Sequence, residues 1–387
     1  MGAVPEKFAS TEDQHITDPK ISFIMITARR DYPYDNRPDL HVFEPTLECF
    51  KKQTMMDFEW VIIDALYEQR KDYFKDMKLP FKVKHVPALP NLWIEQGLPG
   101  ICTQYNKGII YADGKLIFFT GDSHMVQPDF MENLWVEYQN GFFPLAWYSY
   151  DHQYEDALTT HPLRAIAPVQ YDILGFTGEK SELEHRYLKV FKDNNIHHAH
   201  VNWDWWFGCS SASLEAMLKI NGFDQKFDGD QMLLDCDVGS RLDLAGYGIR
   251  FAMFRNIYLI KIPSDRNWNP AFTKKNVTIK CNLPLIWISR YFKQYKANSM
   301  WWAEQGITWI KETWCPTLCP MSKFCQENHP WQYPFEHKDG YEGHNSSKEW
   351  FEFWKEHQVL IDLTVEREKR LNGDPKYKTG TFIEACK

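Results

Sequence analysis

What most constrains this chain is a recurring pattern of short apolar runs that stop abruptly at a polar or acidic residue. Ile21–Thr27 (ISFIMIT), Phe58–Asp64 (FEWVIID) and the run Leu116-Ile117-Phe118-Phe119 have the length and the β-branched or aromatic content of buried strands, and Lys82–Val86 reads as a shorter one. Helical spacing fills the intervals. His41–Gln53 carries Val42, Phe43, Leu47 and Phe50 on one face, Thr103–Ala112 is expected to be a helix leading through Asp113-Gly114 into the next strand, and another helix should run from Phe130 to about Asn140. Strand and helix in alternation is the doubly wound α/β pattern.

In open α/β sheets ligands bind outside the carboxyl ends of the strands, so the residues that close each run matter most. The Leu116 run ends in Thr120-Gly121-Asp122-Ser123-His124. A carboxylate and an imidazole one residue apart suit Mn²⁺, and Mg²⁺ less well; the plainer reading is a polar turn after a core strand. Arg29 and Arg30 follow the first strand and could reach a phosphate. Asp64 ends the second, where a carboxylate can accept hydrogen bonds from a base or ribose, or cap a helix.

Composition narrows the function classes. The chain has 387 residues, 44% hydrophobic and 25% charged, enough for a sizeable core, and its net charge of −8 argues against nucleic acid or an anionic membrane as the main partner. No apolar run reaches the roughly 18–20 residues needed to span a bilayer, and residues 1–20 lack the basic start and apolar core of a leader. Nine scattered cysteines fit reduced thiols better than a disulfide framework, so a cytoplasmic protein is expected. Aromatics make up 16% of the chain, and aromatic-rich clefts are common where sugar rings bind, although most aromatics fill cores.

A second informative region begins at Trp203-Asp204-Trp205-Trp206. Ser213–Ile220 reads as a short helix, Asn221-Gly222-Phe223-Asp224 as a turn, and Leu233–Leu244 as a helix closed by Gly246. Asp235 and Asp237 sit where they could do acid–base work or simply cap that helix. Residues 142–168 look irregular and aromatic, 179–194 helical, and His197, His198 and His200 form a patch whose spacing matches no standard metal site. Further on, Phe292–Ile310, with Trp301, Trp302 and Trp309, reads as an amphipathic helix, and Lys348–Leu371 as a charged one followed by a polar tail. Cys315, Cys319, Cys325 and His329 are the ligand types of a structural Zn²⁺ site, at an unusual spacing.

The order ISFIMITARR, FEWVIIDA, YNKGIIYADGKLIFFTGDSHMVQPDF resembles the nucleotide-sugar-binding half of family-2-like glycosyltransferases of the GT-A fold. Thr27 and Arg30 match that family's first motif, Asp64 its second, and Asn106, Gly108, Ala112 and Gly114 its third. Asp122-Ser123-His124 stands where the metal motif Asp-x-Asp is usual; the same triplet is found in polypeptide N-acetylgalactosaminyltransferases. The second region resembles the acceptor half of the same enzymes and of galactosyltransferases, where a Gly-Phe-Asp turn precedes Glu-Asp-x-Asp and then Arg. Counting back from Arg241, Asp235 and Asp237 take the later acidic positions, while Leu234 replaces the Glu.

The resemblance implies a mixed sheet flanked by helices with a mainly helical C-terminal extension. It divides the chain into an arm (1–20), a nucleotide-sugar half (21–130), an acceptor half (131–260) and the extension (261–387). It also implies a nucleoside diphosphate sugar, UDP or GDP first, held by Thr27, Arg30, Asp64, Asn106 and Asp122. Mn²⁺ or Mg²⁺ would sit on Asp122 and His124, and Asp235 would be the general base. Trp203, Asp204, Trp205 and Asp237 would meet a glycan, lipid-linked or protein acceptor. Rival readings are a retaining transferase and a sugar-binding protein that has lost activity. No His lies between His200 and His329 to serve as the family's usual third metal ligand.

Overall fold

A computed structural model describes residues 19–29, 41–90, 100–122, 124–150, 194–206, 209–228, 233–261, 283–299 and 361–386, and every structural statement below concerns these. Arg30, the Cys315–His329 set, Trp301, Trp302, Trp309 and all but Asn194 of the helix expected over 179–194 lie outside them.

The chain begins with β1 (Ile21–Thr27), α1 (Glu44–Lys51), β2 (Phe58–Asp64), β3 (Lys82–Pro87), α2 (Ile101–Tyr111) and β4 (Leu116–Gly121). The four strands are parallel, in the order β3-β2-β1-β4. Seven consecutive buried residues in β2 explain why its run is apolar without alternation: helices cover both faces of the sheet. On one face Phe43 and Phe50 pack against Trp60, with Phe50 edge-on to Phe23 at 4.9 Å. On the other, α2 lies so close to β1 that a Cβ at Gly108 would collide with Ile24.

Register decides where the strand ends fall. Thr27 pairs with Asp64, and Ile26 with Gly121, so the last residues of β1, β2 and β4 form one rim. Strand order reverses at β1: β2 and β3 extend the sheet one way and β4 the other. That gap between β1 and β4 is the topological switch point, where such sheets bind ligands.

Two residues past β4 the chain enters a second sheet. β5 (His124–Val126), α3 (Phe130–Gln139), β6 (Phe143–Tyr150), β7 (His198–His200), β8 (Ser211–Ser213), α4 (Leu214–Lys219), α5 (Leu234–Leu244) and β9 (Phe251–Lys261) follow. β9 pairs with β5 and β7 antiparallel and with β6 parallel, while β8 returns to the first sheet as an antiparallel neighbour of β4. Residues 143–150, expected to be irregular, are therefore a strand. Its partner lies about a hundred residues on, and a break in register between Leu145 and Trp147 hides any simple alternation.

Where the C-terminal region is described, two helices outweigh one short strand. α6 (Leu283–Tyr291) packs on α5, α7 (Leu363–Leu371) packs on α2, and β10 (Thr381–Ile383) adds an antiparallel edge to β3. The result is a six-stranded mixed sheet, β10-β3-β2-β1-β4-β8, flanked by helices, which is the expected fold class. Among the described residues no helix is long and apolar enough to cross a membrane.

Asp113 fastens α7. It meets Lys84 Nζ at 2.5 Å, Arg367 at 3.4 Å and Arg370 more closely, with its side chain 27% exposed. Burial alone would raise its pKa, but hydrogen bonds from Arg370 and Lys84 and their charges outweigh burial and hold the carboxyl at about 2, below the ordinary 3.8. A carboxyl depressed on folding stabilises fully above its unfolded pKa and loses that contribution as pH falls through the folded one. Asp113→Ala should therefore cost about 1–3 kcal/mol at neutral pH, between the values for exposed and buried pairs. In chemical denaturation the gap from wild type should hold above about pH 4 and close as pH approaches 2.

Candidate functional site

The switch point gathers residues from both sides of β1. Thr27, the last residue of β1, donates its hydroxyl to Asp122 Oδ2 at 2.8 Å, across 95 residues of sequence. Arg29 Nε donates to the other carboxylate oxygen, Oδ1, at 2.5 Å. Both Arg29 and Asp122 are about nine-tenths buried, so this pair is charge-assisted and only partly hydrated. Asp122 occupies the hinge between the two sheets because β4 ends at Gly121 and β5 begins at His124.

His124 is buried, and its backbone carbonyl accepts from the Thr46 hydroxyl of α1 at 2.8 Å. Its Nδ1 lies 3.1 Å from the carbonyl of Gly121 and 3.1 Å from the Thr120 hydroxyl. A carbonyl can only accept, so Nδ1 carries the proton and Nε2 is the nitrogen suited to a metal. Protein metal sites commonly orient histidine by this kind of hydrogen bond to a backbone carbonyl. A carboxylate oxygen and an imidazole nitrogen are donor types that a divalent ion takes, and here both Asp122 oxygens already accept from Thr27 and Arg29. Among the described residues no group of three or more His, Cys, Asp or Glu side chains forms a metal cluster.

Asp64 has protein partners instead of an open face. It is fully buried, with Oδ2 2.9 Å from His85 Nε2, Oδ1 accepting from the Leu66 amide at 2.8 Å, and Arg70 at 3.7 Å. Arg70 in turn donates to the Arg29 carbonyl. Asp64 therefore acts on the rim through Arg70, which pins the backbone beside Asp122.

Asn106, also fully buried, clasps the backbone of Phe223: Nδ2 donates to its carbonyl and Oδ1 accepts from its amide, each at 2.8 Å. That clasp fixes the Asn221–Asp224 turn onto α2. Gly222 has φ +68°, and a Cβ there would strike Asn106, so the turn needs glycine twice over. Asp237 is equally buried and joined to Arg241 at 2.7 Å, while Arg241 Nη1 donates to the Gly222 carbonyl at 2.7 Å. These two residues hold the turn rather than face an acceptor.

Asp235 differs from Asp237 in standing half-buried in the first turn of α5, with Oδ1 accepting from the Cys236 amide at 2.9 Å. Burial pushes the Tyr105 phenol well above its usual range, and the charges of Cys209, Asp235 and Asp122 push the same way. Trp203 and Trp205 are half-buried in a single 3-10 turn with exposed Asp204 between them, and the Arg290 guanidinium lies 4.7 Å from the Trp203 ring centre. Trp206 is core: fully buried, with its indole N–H on the Ser211 carbonyl.

Sequence reasoning passed over Asp228. Fully buried, it accepts from the amides of Cys102 at 2.7 Å and Thr103 at 3.2 Å and from the Thr103 hydroxyl at 2.5 Å, capping α2 from 125 residues away. Caps are sought next to the helix in sequence, so no local signal marks this one.

The sequence matches no family model and no curated protein. Among solved structures, S. aureus TarS is similar at a TM-score of 0.41 and 13% identity, over 70% of this chain and 39% of that one. S. aureus TarS 1–349 in complex with UDP-GlcNAc is similar at 0.46 and 10% identity, over 79% and 77%. The chain thus spans well under half of the longer TarS chain.

Burial pushes Asp228 up to about 6 from 3.8, against the hydrogen bonds it accepts. A carboxyl raised on folding binds its proton more tightly in the native state, so stability falls as pH rises from about 4 to 6. Asp228→Ala removes the cap, at about 1–2 kcal/mol, and also this pH slope. Denaturation midpoints should show a wider gap between wild type and variant near pH 4.5 than near pH 7.

Proposed function

We propose that this chain is a glycosyltransferase that moves a sugar from a nucleoside diphosphate donor to an acceptor hydroxyl with inversion at the anomeric carbon. One observation carries the reading. Thr27 and Asp122, picked out separately by strand-end motifs, are hydrogen-bonded at the switch point.

Asp122 and His124 would hold a divalent cation, which when bound supplies Lewis-acid neutralisation of the departing diphosphate. Thr27 orients the Asp122 carboxylate through its hydroxyl, and Arg29 brings positive charge to the same rim. Asp235 would take the proton from an acceptor hydroxyl as it attacks, and Trp203 and Trp205 would meet a sugar. Asp64, Asn106 and Asp237 contribute by position: they fix the Arg29 backbone and the acceptor turn.

Calorimetry with UDP-, GDP-, dTDP- and CMP-sugars, each with and without Mn²⁺ or Mg²⁺, tests this directly. One nucleotide sugar should bind in a metal-dependent way, and Asp122→Ala should abolish that binding. Asp235→Asn should keep donor binding and lower turnover by roughly 10²–10⁴-fold. Proton NMR of the first-formed product should show the inverted anomer. Failure of every donor to bind with either metal would overturn the proposal.

A further inference from the structure

Asp64 closes β2 in full burial, and a buried carboxylate is stable only while both of its oxygens have donors. Oδ1 accepts from the Leu66 amide at 2.8 Å, with Arg70 Nη2 at 3.7 Å, just beyond hydrogen-bond reach. Oδ2 has His85 Nε2 at 2.9 Å. Strand register delivers that last contact. Ile62 pairs with His85 and Asp64 with Pro87, so the imidazole stands on the same face of the sheet as the carboxylate, one diagonal step behind it.

The His85 ring has little freedom. Phe43, Tyr67 and Phe74 meet it at steep angles with ring centres 5.3, 4.9 and 5.6 Å away. Nδ1 is buried with no partner among the described residues. A carboxylate only accepts, so the proton sits on Nε2. A phenyl ring would fill the same cage without an orphaned nitrogen, so packing gives no reason for a histidine here. The bond to Asp64 does.

Arg70 Nη2 stands between two acceptors. It donates to the Arg29 carbonyl, and the same nitrogen is the one 3.7 Å from Asp64 Oδ1, while the guanidinium lies 5.5 Å from the Phe43 ring centre. A carboxylate is the stronger acceptor of the two. Nη2 stays with the carbonyl because Asp64 already has a donor on each oxygen, and His85 supplies the one on Oδ2.

We propose that His85 is a positioning residue of the strand-end site: by satisfying Asp64 it leaves Arg70 on the Arg29 carbonyl, and so keeps Arg29 where its Nε meets Asp122. Without that donor, Asp64 draws Arg70 into direct contact and the Arg29 carbonyl is released. The consequence for donor binding rests on the transferase reading, and the coupling itself does not.

The test uses the full chain with two substitutions. His85→Phe keeps a ring in the cage and removes the donor, whereas His85→Gln returns an amide N–H close to the place of Nε2. Heteronuclear NMR of arginine-labelled protein reads the Arg29 Nε–H, assigned by its loss in Arg29→Lys. In His85→Phe its exchange with water should quicken about tenfold or more, and His85→Gln should restore most of the protection. Calorimetry with UDP-, GDP-, dTDP- and CMP-sugars should show affinity for the bound donor down about tenfold in His85→Phe and largely recovered in His85→Gln. Wild type supplies an independent check should His85→Phe not fold, since the nitrogen shifts of the His85 ring must report a proton on Nε2. A tautomer protonated on Nδ1 alone, or an unmoved Arg29 Nε–H in folded His85→Phe, would overturn the coupling. If no nucleotide sugar binds wild type while the Arg29 resonance responds as expected, the transferase reading falls and the positioning role stands.

Discussion

The interaction on which the rest of this structure depends is the complete burial of α2. Every residue from Cys102 to Tyr111 is buried, so a helix with no solvent face needs partners all round. The sheet covers one side, where Gly108 lets the backbone settle against Ile24. The Asn221–Asp224 turn covers another through the Asn106 clasp and the stacking of Tyr105 on Phe223 at 4.9 Å. Asp228 closes the N-terminal end, and Arg367 donates to the Ala112 carbonyl at the other. α2 thus helps to join the two parts of the molecule, beside the pairing of β8 with β4 and the packing of Phe119 on Trp206 and Phe223.

Much of the first sheet is legible in the sequence, because strands covered on both faces are written as unbroken apolar runs. β1, β2 and β4 are of that kind, and the helices between them keep a 3.6-residue period. The second sheet is not legible. β5 and β7 are three residues long, and β6 and β9 pair across about a hundred residues, so neither length nor local alternation marks them. The site divides the same way. Thr27, Asp122 and His124 could be found because a strand's end is visible in one dimension. The partners that decide what Asp64 and Asn106 do lie on other elements, and the family resemblance suggested ligand contacts where the structure has buried fastenings.

Buried charge is used sparingly and in chains. Asp64 holds Arg70, Arg70 holds the Arg29 backbone, and Arg29 reaches Asp122. Each carboxylate in the series is satisfied by a neighbour, which limits the desolvation cost of burying it. Such a series makes the rim sensitive to residues far from it. His85, on β3, is three contacts away from the Arg29 backbone through Asp64 and Arg70.

The short strand β10 has a wider meaning than its three residues suggest. Thr381, whose backbone pairs with His85 of β3, also bonds through its hydroxyl to the Lys71 carbonyl, 310 positions away in sequence. Until that segment returns, β3 is an open edge with unpaired amides and carbonyls along Lys82–Pro87, the kind of surface on which sheets of different molecules join. Closing so long a loop is slow, although its entropic cost grows only gently with length. A partly folded molecule lacking β10 would keep most of its core yet carry a strand edge open to association. The last described strand therefore guards the first sheet against aggregation as much as it completes it.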